Sequence, residues 1–220
     1  MASDFESVRA ELARGNRVLL LVRHAERPHI DHEDPTFGWS LPITENGKRM
    51  CAAFGAALRG ASDDVQFLAS PLLRTVMSAR HIAAGMGIEN PDIPEDDAIG
   101  NGSAFISDLH AVWRLFRDGD FFGHMGEYVK RGKIDGFAPN AEAADAYERH
   151  VVSKFRGKLG IFTTHDVYIV AYLVARGVKA DWDAANWPRF LDAAMIVLEP
   201  TGVRRYSLFR AGLSDRAIGV

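Results

Sequence analysis

Arg17-Val18-Leu19-Leu20-Leu21-Val22-Arg23-His24-Ala25-Glu26-Arg27 runs an unbroken apolar segment straight into a cluster of cations. Such a run lacks the alternation of a half-exposed strand. It suits a strand covered on both faces, as in a parallel sheet lined by helices. Upstream, Phe5, Val8 and Leu12 fall at i, i+3 and i+7, so residues 3–14 are predicted as a short amphipathic helix, ended by Gly15-Asn16. Downstream, Glu26 to Pro42 is polar and proline-containing. It is predicted as a loop long enough to imply a role in function.

The same grammar repeats along the chain. Thr44-Glu45-Asn46-Gly47 opens a second helix running to about Leu58, with Thr44 as N-cap. Val65–Ala69 is predicted as a strand. Ser70-Pro71 then begins a helix to about Gly85, with Pro71 near its first position, where a missing N–H costs little. Asn90 to Gly102 is rich in Pro, Asp and Gly and is read as loop. Leu159–Thr164 is another buried strand, and Asp166–Ala175 a helix ended by Gly177. Ala194–Leu198 and Val203–Leu208 form a hairpin around Pro200-Thr201-Gly202. Residues 103–157 show no clear strand. Helical patterns there (Ile106 to Phe116, Tyr147 to Phe155) suggest an inserted lid or side layer. The expected fold is α/β: a three-layer αβα sandwich with a mostly parallel sheet, one domain over residues 1–220, with a helical insertion at about 103–157.

Composition narrows the function. The 220 residues are 47% hydrophobic and 25% charged, which excludes a disordered, collagen-like or low-complexity chain. The net charge of −3 disfavours nucleic acid and an anionic membrane as partners. One cysteine, Cys51, permits no intramolecular disulfide, so a reducing compartment is allowed. The apolar run Val18–Val22 is too short for a membrane span or a signal-peptide core, and a cytoplasmic location is expected.

Three strand ends carry unusual residues: Arg23-His24-Ala25-Glu26-Arg27, Ser70-Pro71-Leu72-Leu73-Arg74-Thr75 and Thr164-His165-Asp166. Ligands of open parallel sheets bind beyond the carboxyl ends of the strands. If the strands are parallel neighbours, Arg23, His24, Arg27, Arg74, His165 and Asp166 meet at one edge. Arginine forks match phosphate oxygens in pairs, and helix starts after Ser70 and His165 add N–H groups. A neutral imidazole can attack phosphorus, and a carboxylic acid can protonate the leaving oxygen. The arginines neutralise charge, so neither metal nor cofactor is required.

Arg23-His24-Ala25-Glu26-Arg27-Pro28 resembles the Arg-His-Gly signature of the histidine phosphatase superfamily, which includes phosphoglycerate mutases and acid phosphatases. Ser70 to Thr75 with Ser78-Ala79 resembles its second motif, and Thr164-His165-Asp166 its third. Leu41, Thr44, Gly47 and Ala52 resemble the segment between the first two. The resemblance spans about residues 17–175 and implies a phosphoglycerate-mutase-like fold. It implies His24 as nucleophile, with Arg23, Arg74 and His165 holding the phosphoryl group. Arg27 is similar to an extra arginine of the acid-phosphatase branch. In that branch's His-Asp pair, matched by His165-Asp166, the aspartate donates the proton. Two departures stand out. The motif's glycine is Ala25, and the chain length suits the mutase-like branch, whose acid is a glutamate after the second motif. The corresponding stretch, Glu95-Asp96-Asp97-Ala98-Ile99-Gly100, has no clean match. The acid therefore stands as Asp166 first, then Glu95, Asp96 or Asp97, with Glu26 weaker.

The expected activity is a metal-independent phosphomonoesterase that acts through phosphohistidine on a small phosphorylated substrate and releases inorganic phosphate. A softer resemblance of Arg23–Arg27 and Ile99–Gly102, to bacterial phosphatases of lipopolysaccharide-core heptose phosphate, implies a sugar phosphate. The alternatives are a phosphomutase, a protein phosphohistidine phosphatase and a non-catalytic phosphate-ligand binder.

Other signals are weaker. His29-Ile30-Asp31-His32-Glu33-Asp34 has metal-ligand types but lacks helical His-Glu-x-x-His spacing. Gly100-Asn101-Gly102 follows no strand and completes no dinucleotide fingerprint. Trp113, Phe116, Phe121 and Phe122 are read as core of the side layer rather than a sugar platform. Cys51 is read as buried and inert. His81, His110, His124 and His150 have no nameable partner; His124 and Tyr128 are set aside as residues of a site mouth.

Overall fold

A computed structural model describes residues 4–213 apart from His32, Pro35, Phe37 and Asp118. Five strands form one sheet: β1 (Arg17–Arg23), β2 (Val65–Ala69), β3 (Leu159–Thr164), β4 (Ala193–Leu198) and β5 (Arg204–Phe209). Their order is β2-β3-β1-β4-β5, which puts the apolar run of β1 in the centre. β3 pairs in parallel with both β1 and β2, whereas β4 is antiparallel to both β1 and β5. The sheet is therefore mixed by pairing rather than mostly parallel. The cause is the segment before β4. It passes the carboxyl end of β1, so β4 starts at that edge and runs back before the expected hairpin.

The run Val18–Val22 is fully buried because both faces of β1 are covered. Val18, Leu20 and Val22 belong to one core, with Val8 of α1 (Asp4–Ala13), Phe54 of α2 (Glu45–Leu58) and Ile82 of α3 (Leu73–Met86). Leu19 and Leu21 belong to the other, with Phe105, Tyr147 of α6 (Asn140–Lys154) and Ile169 of α7 (Asp166–Ala175). Each such side chain contributes roughly 1.5–3 kcal/mol by leaving water. The expected insertion is helical: α4 (Leu109–Arg117) and α5 (Phe121–Arg131) precede α6, with a single bridge between Ile106 and Phe137.

Three details position the site. Thr44 caps α2 as expected, accepting from Gly47 N at 2.9 Å and donating to Glu26 Oε1 at 2.7 Å, which pins the far side of the first motif. α3 starts two residues later than expected, at Leu73, with Leu72 as its N-cap. Ser70 N still bonds Thr163 O as an extension of the sheet, at 3.0 Å, so Pro71 stays outside the helix. α2 and α3 touch backbone to backbone: any side chain at Gly55 would overlap the carbonyl of Ile82. Among the described residues, no helix is long and apolar enough to cross a membrane.

Candidate active site

Strand register brings the three strand ends together. Arg23 lies beside Thr164, and Ala69 beside Thr163, so His24, Ser70 and His165 all emerge at one edge of the sheet. There they border a cavity of about 200 Å3 whose lining includes Arg23, His24, Arg27, Arg74, His165 and Asp166. All six residues expected from the sequence line one space.

His24 is 2% exposed. Its Nδ1 lies 2.8 Å from Ala25 O. A carbonyl only accepts, so Nδ1 carries the proton and the neutral ring keeps its lone pair on Nε2. Burial, then the charges of Arg74, His165, Arg23 and Arg27, hold His24 well below the ordinary imidazole range. Ala25, standing where the motif has glycine, adopts a negative φ, and its N–H donates to Ser78 Oγ at 2.9 Å. The turn therefore needs no glycine.

His165 is oriented by a proton relay that can be read atom by atom. Thr75 Oγ1 lies 2.7 Å from Ser70 O and 2.6 Å from Leu72 O, so its proton goes to a carbonyl. Ser70 then donates to Thr75 Oγ1 at 2.9 Å and accepts from His165 Nε2 at 3.0 Å. The neutral ring keeps its lone pair on Nδ1. Burial first, then Arg74, Arg27 and Arg23, lowers its proton affinity well below the ordinary value.

Arg23 and Arg74 are buried, Arg27 is half-buried, and each donates to a backbone carbonyl. Arg23 donates to Pro188 O at 2.6 Å, meets Asp166 Oδ2 at 3.0 Å and lies 4.4 Å over the Phe190 ring. Arg74 donates to Gly38 O at 2.6 Å. Gly38 has φ +74°, and a side chain there would press on Ile30, so this turn favours glycine. Burial and mutual repulsion push Arg74 down to about 9 and Arg27 to about 10, so both stay charged at neutral pH. The Nε atoms of Arg27 and Arg74 are buried with no hydrogen-bond partner. Donors of this kind suit an anion.

Asp166 opens α7. Its Oδ2 accepts from Trp187 Nε1 at 2.8 Å as well as from Arg23, and its Oδ1 from Val167 N at 3.1 Å. Among the described residues it is the one carboxylate lining the cavity. The other candidate acids do not line it. Asp96 caps Ala98 N and pairs with His150 at 2.7 Å, Glu95 bridges to Ala69, Asp97 packs against Gly102, and Glu26 is tied to Thr44.

Residues 19–97 match the sequence model of the histidine phosphatase superfamily (branch 1). The chain thus resembles the histidine phosphatase superfamily in sequence over that stretch and in fold over most of its length. No curated protein matches it in sequence. Among solved structures it resembles a mycobacterial glucosyl-3-phosphoglycerate phosphatase, at 15% identity, over 89% of this chain and 99% of that one, with a TM-score of 0.56. It resembles a phosphoglycerate mutase from Bacillus anthracis at 11% identity, over 90% and 95%, with a TM-score of 0.58. The protein histidine phosphatase SixA, in complex with tungstate, gives 12%, 89% and 97%, and 0.51. At these identities the likeness is one of fold.

Several parts of this site were not read from the sequence. Trp187, Pro188 and Phe190 sit in a segment given no element, yet they orient Asp166 and Arg23. Leu191 beside them has φ +67°, uncommon for a branched side chain. Trp113 lines the cavity, Phe116 and Phe121 line it as well as packing in the side layer, and Phe122 meets Trp187 edge-on at 5.4 Å. His124 and Tyr128 do not line it, and the Tyr128 hydroxyl donates to Ala138 O at 2.9 Å. Cys51 is buried, its thiol pushed up to about 12, as its helical setting suggested. His29 and Ile30 line the cavity mouth, while His32 lies outside the described residues. Among the described residues, no three metal-ligating side chains cluster to hold an ion.

Proposed function

We propose that this protein is a histidine phosphatase, a phosphomonoesterase that works through phosphohistidine at His24. The observation that carries this reading is the pairing of an Nε2 lone pair, fixed by the Nδ1–Ala25 O bond, with three guanidiniums around one cavity.

In the first step His24 Nε2 attacks phosphorus. The N–P bond forms as the P–O bond to the alcohol breaks, and Asp166 gives its proton to the leaving oxygen. Arg23, Arg27 and Arg74 offset the charge on the equatorial oxygens. His165 donates from Nδ1 once an anion lets it take up a proton. In the second step water attacks the phosphohistidine and loses its proton to the Asp166 carboxylate. Inorganic phosphate leaves and His24 is restored. Asp166 is preferred as the acid because the other candidates do not line the cavity.

The test is phosphate release from a panel of phosphomonoesters in chelator, comparing the native protein with His24→Ala. Release that depends on His24 and survives the chelator is expected. Release that persists in His24→Ala would remove the mechanism, and loss on chelation would remove its metal independence.

A further inference from the structure

The cationic floor is only one end of the cavity. α4 presents Leu109, Val112, Trp113 and Phe116 to the same space, at i, i+3, i+4 and i+7 along one face, while Arg114 and Arg117 point elsewhere. Ile30 of the loop after β1 and Phe121 of α5 continue this wall. Beyond the cationic end, polar side-chain groups on the lining come, among the described residues, from His29, Asn101, Tyr168 and the indole N–H of Trp113. The loop is fastened beside the wall, since Arg117 donates to Asp34 O at 2.9 Å.

From this, and resting on the phosphomonoesterase reading above, we infer that the substrate is the phosphate monoester of an apolar alcohol, its alkyl or aryl body lying along α4. The phosphoryl group must sit against the arginines and His24, so the alcohol is directed at the wall that α4 supplies. An apolar cavity of about 150 Å3 holds a benzene ring. The space here, about 200 Å3 including the phosphoryl end, suits one ring or a short alkyl chain. A polyol fits poorly. Each hydroxyl buried without a partner lowers affinity by roughly 5- to 150-fold, and the wall offers few partners. A sugar phosphate, which the softer sequence resemblance implied, would bury several.

The experiment holds leaving-group chemistry nearly constant by using primary alkyl phosphates: ethyl, butyl and hexyl phosphate against glycerol 3-phosphate and glucose 6-phosphate. Expected is a rise in kcat/KM of about fourfold per methylene until the cavity is filled. Hexyl phosphate should exceed glucose 6-phosphate by about a hundredfold or more. Leu109→Gln, at a half-buried position, should shrink the ratio of hexyl to glycerol phosphate. Sugar phosphates turned over as fast as hexyl phosphate would overturn this inference and leave the phosphomonoesterase reading standing. Should no ester turn over, that reading falls, and calorimetry still decides this one. Hexylphosphonate must then bind more tightly than 3,4-dihydroxybutylphosphonate by tenfold or more, and equal affinities would refute it.

Discussion

Trp187 donates its indole Nε1–H to Oδ2 of Asp166 across 2.8 Å, on the same oxygen that Arg23 reaches at 3.0 Å. Both donors bind the same oxygen and fix the plane of the carboxyl group, so Oδ1, which accepts from Val167 N, is the oxygen left to carry a proton. Trp187→Phe keeps an aromatic body among Phe121, Phe122 and Trp182 but removes the donor. The expected result is a loss of about 2 kcal/mol in urea unfolding. A fall in kcat of about tenfold is expected for alkyl phosphates, with little change for p-nitrophenyl phosphate. An equal fall for both esters would separate Trp187 from proton transfer.

Asp166→Asn leaves the site isosteric and removes the acid. A general acid contributes about 10²- to 10⁴-fold, and a loss in that range is expected for alkyl phosphates. p-Nitrophenolate departs without help, so the first step should survive with that ester. The second step lacks its base, and a burst of p-nitrophenol followed by slow turnover should appear in stopped-flow absorbance. Equal losses for good and poor leaving groups, with no burst, would move the role to the Glu95–Asp97 group.

Ser70→Ala interrupts the relay that places the His165 proton on Nε2. Imidazole nitrogen shifts in NMR should show His165 becoming a mixture of tautomers, with kcat/KM down about tenfold and Ser70→Thr restoring much of both. A rate loss with the tautomer unchanged would make Ser70 merely structural.

Arg74→Lys keeps the charge and gives up the planar fork together with the bond to Gly38 O. Loss of one preorganised donor costs about 10²- to 10³-fold in kcat. A fall near the lower bound is expected, with inhibition by inorganic phosphate weakened in parallel. Unchanged phosphate inhibition would place Arg74 outside the anion site.

Buried neutral histidines make stability depend on pH. In the folded chain His24 and His165 bind protons only well below the ordinary 6.5, whereas in the unfolded chain they titrate near it. Below that value the unfolded state binds more protons, so stability falls as the pH drops and is fully present above about pH 7. Together the pair should cost roughly 2 kcal/mol between pH 6 and pH 5. His24→Gln should remove about half of that slope in urea unfolding. An unchanged slope would mean that His24 is not held neutral.

The sequence showed most plainly what depends on local pattern. The β1 run, the Thr44 cap and the three strand-end motifs were legible because each needs only a short window, and parallel register then aligned His24, Ser70 and His165. The Trp187–Phe190 segment was not legible. It has no periodicity, and its importance lies in single contacts with Arg23 and Asp166 across long sequence separations. The sheet's mixed pairing was hidden for the same reason, since the path of that segment reverses β4. Trp113 and Phe116 were read as core because a cavity wall and a core face have the same helical spacing.

The most direct test of the central claim is to mix the protein with p-nitrophenyl phosphate, quench in alkali, where phosphohistidine survives, and map the peptides by mass spectrometry. One phosphoryl group is expected on the peptide containing His24, increased in Asp166→Asn and absent in His24→Ala. Continued turnover with no phosphoryl group on that peptide, or with one on another side chain, would contradict it.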